Sequence, residues 1–131
     1  MKKLTLLLLL MVSTNVFAEW TLIANNEVTG TTAYVDFKTI RKKGNKVKIW
    51  TLIDFDMEQT LSDGRRYMST TGRYEYDCVN ETALLWEGGG QSGKMMNGKS
   101  VWGDIYRTPY KASITPESYQ EIFFKIACGK K

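Results

Sequence analysis

Histidine is absent from this chain, and cysteine occurs only twice. The first absence removes the side chain most often used for acid–base chemistry near neutral pH. It excludes Ser-His-Asp and Cys-His constellations and zinc sites built on imidazole. Internal repeats, low-complexity tracts and linkers are also missing. Beyond residue 18 no apolar run approaches the roughly 20 residues that a membrane-spanning helix needs.

The one long apolar run stands at the start. Met1-Lys2-Lys3 is positive, Leu4 to Val12 is almost unbroken leucine, and Val16-Phe17-Ala18 is a small-x-small cleavage pattern. These are the three parts of a secretory signal, with the cut expected before Glu19. An uncleaved anchor is the alternative, and the run is short for one. No cysteine near the cut offers a lipid attachment point. Residues 1–18 are therefore expected to be a signal peptide and residues 19–131 a single domain. Loss of Lys2 and Lys3 lowers the basic count from 18 to 16 against 14 acids, a net charge of +2. Such a balance does not indicate a nucleic-acid binder.

Export sends both cysteines, Cys78 and Cys128, to an oxidising compartment, where an even pair normally bonds. Two free thiols are the alternative. A Cys78–Cys128 crosslink would close a loop of about 50 residues and contribute roughly 4 kcal/mol on the chain-entropy account.

Period-two alternation marks strands at Trp20–Ala24, Ala33–Phe37, Val47–Phe55 and Tyr67–Cys78, and more weakly at Thr82–Trp86 and Val101–Tyr106. Ala33, Val35 and Phe37 are expected on one face, and Pro109 is expected to end the last strand. The middle strand carries Val47, Ile49, Ile53 and Phe55 on one face, and Trp50 and Leu52 on the other with Lys48 and Asp54. Such a strand is either covered on both sides or uses its second face for association. Arg41 to Lys46 is a charged hairpin turn with Gly44-Asn45 at its tip. The period then changes. Thr115 as N-cap, Pro116 and Glu117 open a helix with Tyr119, Ile122, Phe123 and Ile126 on one face, closed by Gly129. The expected fold is α+β, mainly β: an antiparallel sheet of about six strands, with a C-terminal helix packed on it and stapled by Cys78–Cys128.

Gly93 to Ser100 (GKMMNGKS) satisfies the phosphate-loop pattern in full. That loop needs a parallel strand before it and a helix after it, and Val101 to Tyr106 reads as strand. The expectation is a flexible glycine-rich surface loop. Asp54, Asp56 and Glu58 alternate as in a calcium loop, but Gln59 stands where the turn glycine belongs. Asn80-Glu81-Thr82 is a glycosylation sequon, relevant only in a eukaryotic secretory pathway.

Arg41, Lys42, Lys43, Lys46 and Lys48 form the densest basic cluster. It is either a contact for an acidic partner or a solvated turn guarding a sheet edge. Trp86 and Trp102 flank the glycine-rich stretch, and no pattern buries them; exposed aromatics are anchors for protein or glycan surfaces. Lys42, Lys43, Lys46, Trp86 and Trp102 are the candidate partner contacts.

The order Trp20, Tyr34-Val35-Asp36, Val47-Lys48-Ile49-Trp50 with Leu52 and Asp54, Tyr76-Asp77-Cys78, and Pro116-Glu117-Ser118 up to Cys128 resembles the surface-adhesin protein E family of Gram-negative bacteria. The resemblance covers nearly all of residues 19–131. It implies a mainly antiparallel sheet, a C-terminal helix and a disulfide joining the two. It also implies a cell-envelope location and an adhesin that binds host extracellular-matrix and serum proteins and can dimerise. It carries no catalytic residue, cofactor or metal.

Three functions follow as expectations. The first is a non-enzymatic, adhesin-like envelope protein that binds host or matrix protein. The second is a periplasmic protein that binds or inhibits an internal envelope partner. The third is a small enzyme working through Asp54, Asp56 or Glu58, which would need two carboxylates facing one cleft at about 5–9.5 Å.

Overall fold

The computed structural model describes residues 19–130; the expected signal peptide lies outside them. Six strands follow one another as a meander: β1 (Thr21–Asn26), β2 (Thr31–Lys43), β3 (Lys46–Thr60), β4 (Arg66–Asp77), β5 (Thr82–Gln91) and β6 (Ser100–Ala112). Each strand pairs antiparallel with the next, in the order β1-β2-β3-β4-β5-β6. One helix, α1 (Tyr119–Cys128), closes the chain and packs against β2, β3 and β4. The expected fold class is the observed one.

The core lies between α1 and one face of the sheet. Ala33 and Val35 of β2, Ile49 of β3, Tyr76 of β4 and Ala83 of β5 meet Phe123 and Phe124 of the helix. Burying a side chain such as Ile49 or Phe123 stabilises by about 1.5–3 kcal/mol. On the opposite face of β3, Leu52 is fully buried and Asp54 nearly so, so this strand is covered on both sides.

Three ties hold the helix in place. The Tyr119 hydroxyl donates to the Thr31 carbonyl at 3.0 Å. Tyr76 donates its hydroxyl to Gln120 Oε1 at 2.6 Å. The Cys78–Cys128 disulfide joins the end of β4 to the last helical residue, with the Cα atoms 5.6 Å apart.

The structure departs from the sequence expectations at four places. Phe37 is exposed at 48% rather than facing inward with Ala33 and Val35. A bulge between Asp36 and Arg41 breaks the register there. It is stabilised by Asp36, whose carboxylate accepts from the Lys38 N–H at 3.0 Å and whose carbonyl accepts from the Thr39 hydroxyl at 2.7 Å.

Pro109 does not end β6, which continues to Ala112. The ladder to β5 jumps from Ile105 to Tyr110, so proline sits in an unpaired stretch of an edge strand, where its missing N–H costs nothing. The helix cap is Ser118, not Thr115: its hydroxyl accepts from the Glu121 N–H at 3.3 Å. Glu117 adopts φ 64°, which no helix admits, so Pro116 and Glu117 belong to the preceding turn. Gly129 closes the helix in the left-handed conformation, as expected.

The fourth departure is the Gly93–Ser100 loop, which is pinned rather than flexible. Met95 and Met96 both take positive φ, and their N–H groups form a small cradle for acceptors. Asp54 accepts from the Met95 N–H at 2.9 Å, and the Ser69 hydroxyl oxygen accepts from that of Met96 at 3.0 Å. The antiparallel strands β5 and β6 flank the loop, so the phosphate-loop pattern has neither of the elements it requires.

The three consecutive glycines of β5 have a packing reason. Gly90 lies opposite Trp102 in the ladder, and a Cβ at position 90 would collide with the Trp102 ring. The bare backbone lets the indole lie flat across the sheet and meet Tyr67 edge-on, with centroids 4.8 Å apart.

Candidate functional site

The β2–β3 connection is a two-residue hairpin at Gly44-Asn45, with Lys43 paired to Lys46. Gly44, but not Asn45, has positive φ, as a type II′ turn requires. The ladder then fixes where the basic residues stand. Arg41 lies directly opposite Lys48, and Lys43 directly opposite Lys46. By alternation all four belong to one face of the ribbon, and Lys42 lines the same shallow groove of about 320 Å³ together with Glu75. Like charges facing each other across an antiparallel pair are destabilising, and this hairpin has two such pairs in succession.

Two acids of β4 border that charge, Glu75 opposite Lys48 and Asp77 opposite Lys46, against five cations. Seven of the fourteen acids are paired elsewhere: Glu19 with Lys38, Asp63 with Arg65, Glu58 with Arg66, Glu87 with Arg73, Asp56 with Lys94, Glu121 with Lys125 and Glu81 with Lys130. Within the groove, Lys48 makes one loose contact to Glu75 at 3.9 Å. Arg41 donates to the backbone carbonyls of Lys38 and Ile40, both at 2.9 Å. Among the described residues Arg41, Lys42, Lys43 and Lys46 take part in no ion pair.

Trp86 meets the groove at Lys48. It is the extra residue of a bulge, since Leu85 pairs with Tyr74 and Glu87 with Arg73. Bulges re-aim side chains, and here the indole lies beneath the Lys48 ammonium, 4.9 Å from the ring centroid. Its Nε1 is buried without a hydrogen-bond partner among the described residues, which costs about 1–3 kcal/mol. Trp86 is therefore linked to Lys42, Lys43 and Lys46 through Lys48, which lines the groove with them. Trp102 stands apart from them: the ladder from Ile53 through Thr70 and Gly90 to Trp102 places it on the helix side of the sheet. Lys48, Arg41 and Glu75 complete the site.

The three alternating acids form no centre. Asp54 is buried and occupied by the Met95 N–H. Asp56 contacts Lys94 at 3.4 Å and Glu58 contacts Arg66 at 3.1 Å. Among the described residues no three potential metal ligands come together. The bulge that turns Trp86 toward Lys48 and the partner of each lysine could not be read from the sequence, because both depend on ladder register.

The sequence model for surface-adhesin protein E matches residues 20–129. The chain belongs to the surface-adhesin protein E family. Its fold is shared with solved structures of protein E from Haemophilus influenzae. One crystal form is 15% identical, with 89% of this chain and 92% of that chain covered and a TM-score of 0.61. A second structure is 15% identical, covers 89% of each chain and has a TM-score of 0.58. That from a non-typeable strain is 14% identical, with 89% and 80% covered and a TM-score of 0.56. No sequence among the curated proteins matches this chain. The protein E family is one of adhesins rather than enzymes, and membership makes this chain an adhesin-like protein of the cell envelope. No described helix is long and apolar enough to cross a membrane.

Proposed function

We propose that this protein is a non-enzymatic adhesin of the cell surface that binds a host or extracellular-matrix protein through the β2–β3 hairpin face. The observation that carries the reading is the block of Arg41, Lys42, Lys43 and Lys46, in excess over the two acids Glu75 and Asp77 that border it, set beside Lys48 on Trp86. Local rules are broken three times within that face: by opposed like charges, a bulge and an unpaired indole N–H. Sites that violate local rules are where function concentrates. Opposite charge on a partner would relieve the repulsion and speed encounter.

The test uses intact cells carrying the tagged protein, with adhesion to immobilised matrix proteins measured before and after protease shaving. Adhesion that disappears on shaving supports the reading. Protein that survives on intact cells and is cut only after lysis overturns it, and directs the search to a partner inside the envelope.

A further inference from the structure

We infer that the hairpin face recognises sulfated polysaccharide chains, the anionic glycans carried by matrix proteins. The inference rests on the proposed binding role of this face and names the chemistry it would take.

Charge density is the first argument. Strand geometry sets opposed residues about 5 Å apart across the ladder and same-face neighbours about 6.8 Å apart along it. Arg41, Lys48, Lys43 and Lys46 thus form a flat two-by-two grid of cations, bordered on the β4 side by Glu75 and Asp77. A ligand that fills the grid must present anions at the same density. Carboxylates on a folded protein surface repel at that spacing and are normally interleaved with bases. A chain with sulfates on successive sugars carries permanent charges closely spaced, and a linear chain can lie along a flat strand pair.

The second argument is shape. The groove is shallow and open, formed by side chains standing off a ribbon rather than by a closed pocket. It suits contact along a chain more than capture of a single small ion. The same row of the sheet continues through Glu75 and Leu84 to Lys111 on β6, so another cation stands further along it.

The third argument is the placement of Lys48. Its ammonium is held over Trp86, 4.9 Å from the ring centroid. This fixes one corner of the grid, reducing the side-chain entropy that binding would otherwise cost.

The experiment measures binding of the folded protein to heparin, to the same chain after complete desulfation, to poly-glutamate and to phosphatidylglycerol vesicles. Two charge-reversal variants are compared. Lys42→Glu/Lys43→Glu reverses one grid cation, Lys43, and the groove-lining Lys42 beside it, while Lys99→Glu/Arg107→Glu makes the same change in net charge at exposed positions elsewhere. Heparin should bind and weaken as salt rises. Desulfated heparin and poly-glutamate should bind roughly tenfold more weakly or not at all. The grid variant should lose roughly tenfold or more in heparin affinity, and the control less than threefold. Lys43→Glu also places a carboxylate opposite Lys46, so the melting temperature of the grid variant should hold or rise. Loss of binding in a fully folded variant is then not a folding defect.

Equal losses in both variants, equal binding of poly-glutamate, or vesicle binding without heparin binding each overturn the inference. Adhesion of cells to matrix protein stripped of its glycans separates the two levels. If that adhesion persists while heparin fails to bind, the adhesin reading stands and the sulfated-chain reading falls. If heparin binds but cells do not adhere to intact matrix, the reverse holds.

Discussion

At Gly90 a single added methyl group would fall inside the ring of Trp102. Gly90→Ala should therefore displace the indole from its seat beside Tyr67 and cost about 1–3 kcal/mol. A lower melting temperature with a shift in tryptophan fluorescence would record it; unchanged values of both would mean that the indole moves freely. Asp77 gives a second test at this scale. Its carboxylate accepts from the backbone N–H groups of Asn80 and Val79 and from the Asn80 side chain. These bonds, those from Asn80 first, hold its pKa below the ordinary 3.8. A depressed folded-state pKa contributes stability above the unfolded value, lost as pH falls through the folded one. The β4–β5 turn should therefore loosen below pH 3.8, and Asp77→Asn should remove that part of the acid sensitivity. Amide exchange at Val79 and Asn80 would follow it.

Among the elements, the helix shows how far sequence reasoning reaches. Its hydrophobic face and its terminal glycine were legible, because a 3.6-residue period and a left-handed cap are local properties. Its true start lies three residues beyond the one that Thr115 and Pro116 mimic. Ser118 and Glu121 carry the capping-box spacing that marks the true start. Ser118→Ala should cost about 1 kcal/mol, read as a lower urea midpoint with an unchanged slope, whereas Thr115→Ala should not remove a cap. Strand existence was likewise legible from alternation, and strand ends were not. Alternation points Phe37 inward only if the pattern of two runs unbroken through the bulge held by Asp36 and Thr39. Trp86 has no burial pattern in the sequence, and its meeting with Lys48 is a matter of register between strands far apart in sequence.

For the molecule as a whole, the disulfide and the buried tyrosines set the limits of stability. Breaking Cys78–Cys128 should cost roughly 4 kcal/mol, with the helix released first, seen as lower helical circular dichroism under mild denaturant. Intact mass should rise by about two hydrogens on reduction. At high pH the order of events follows Tyr76 and Tyr74. Burial raises both hydroxyls above the ordinary 10.0. Their stabilising contribution is complete below pH 10 and is lost as pH rises toward the folded-state values. Alkaline unfolding should begin above pH 10, and Tyr76→Phe should make it less steep.

The meander also dictates a sequence of events in time. Every strand pairs with the one before it, so the sheet can zip up hairpin by hairpin, closing only short loops at each step. The helix is the exception. It must return across β2, β3 and β4 to reach Phe123's seat beside Ile49 and Tyr76. Cys78 waits at the end of β4 until that docking brings Cys128 to it. The crosslink is thus a late mark of completed assembly, locking a sheet that has already formed rather than guiding it.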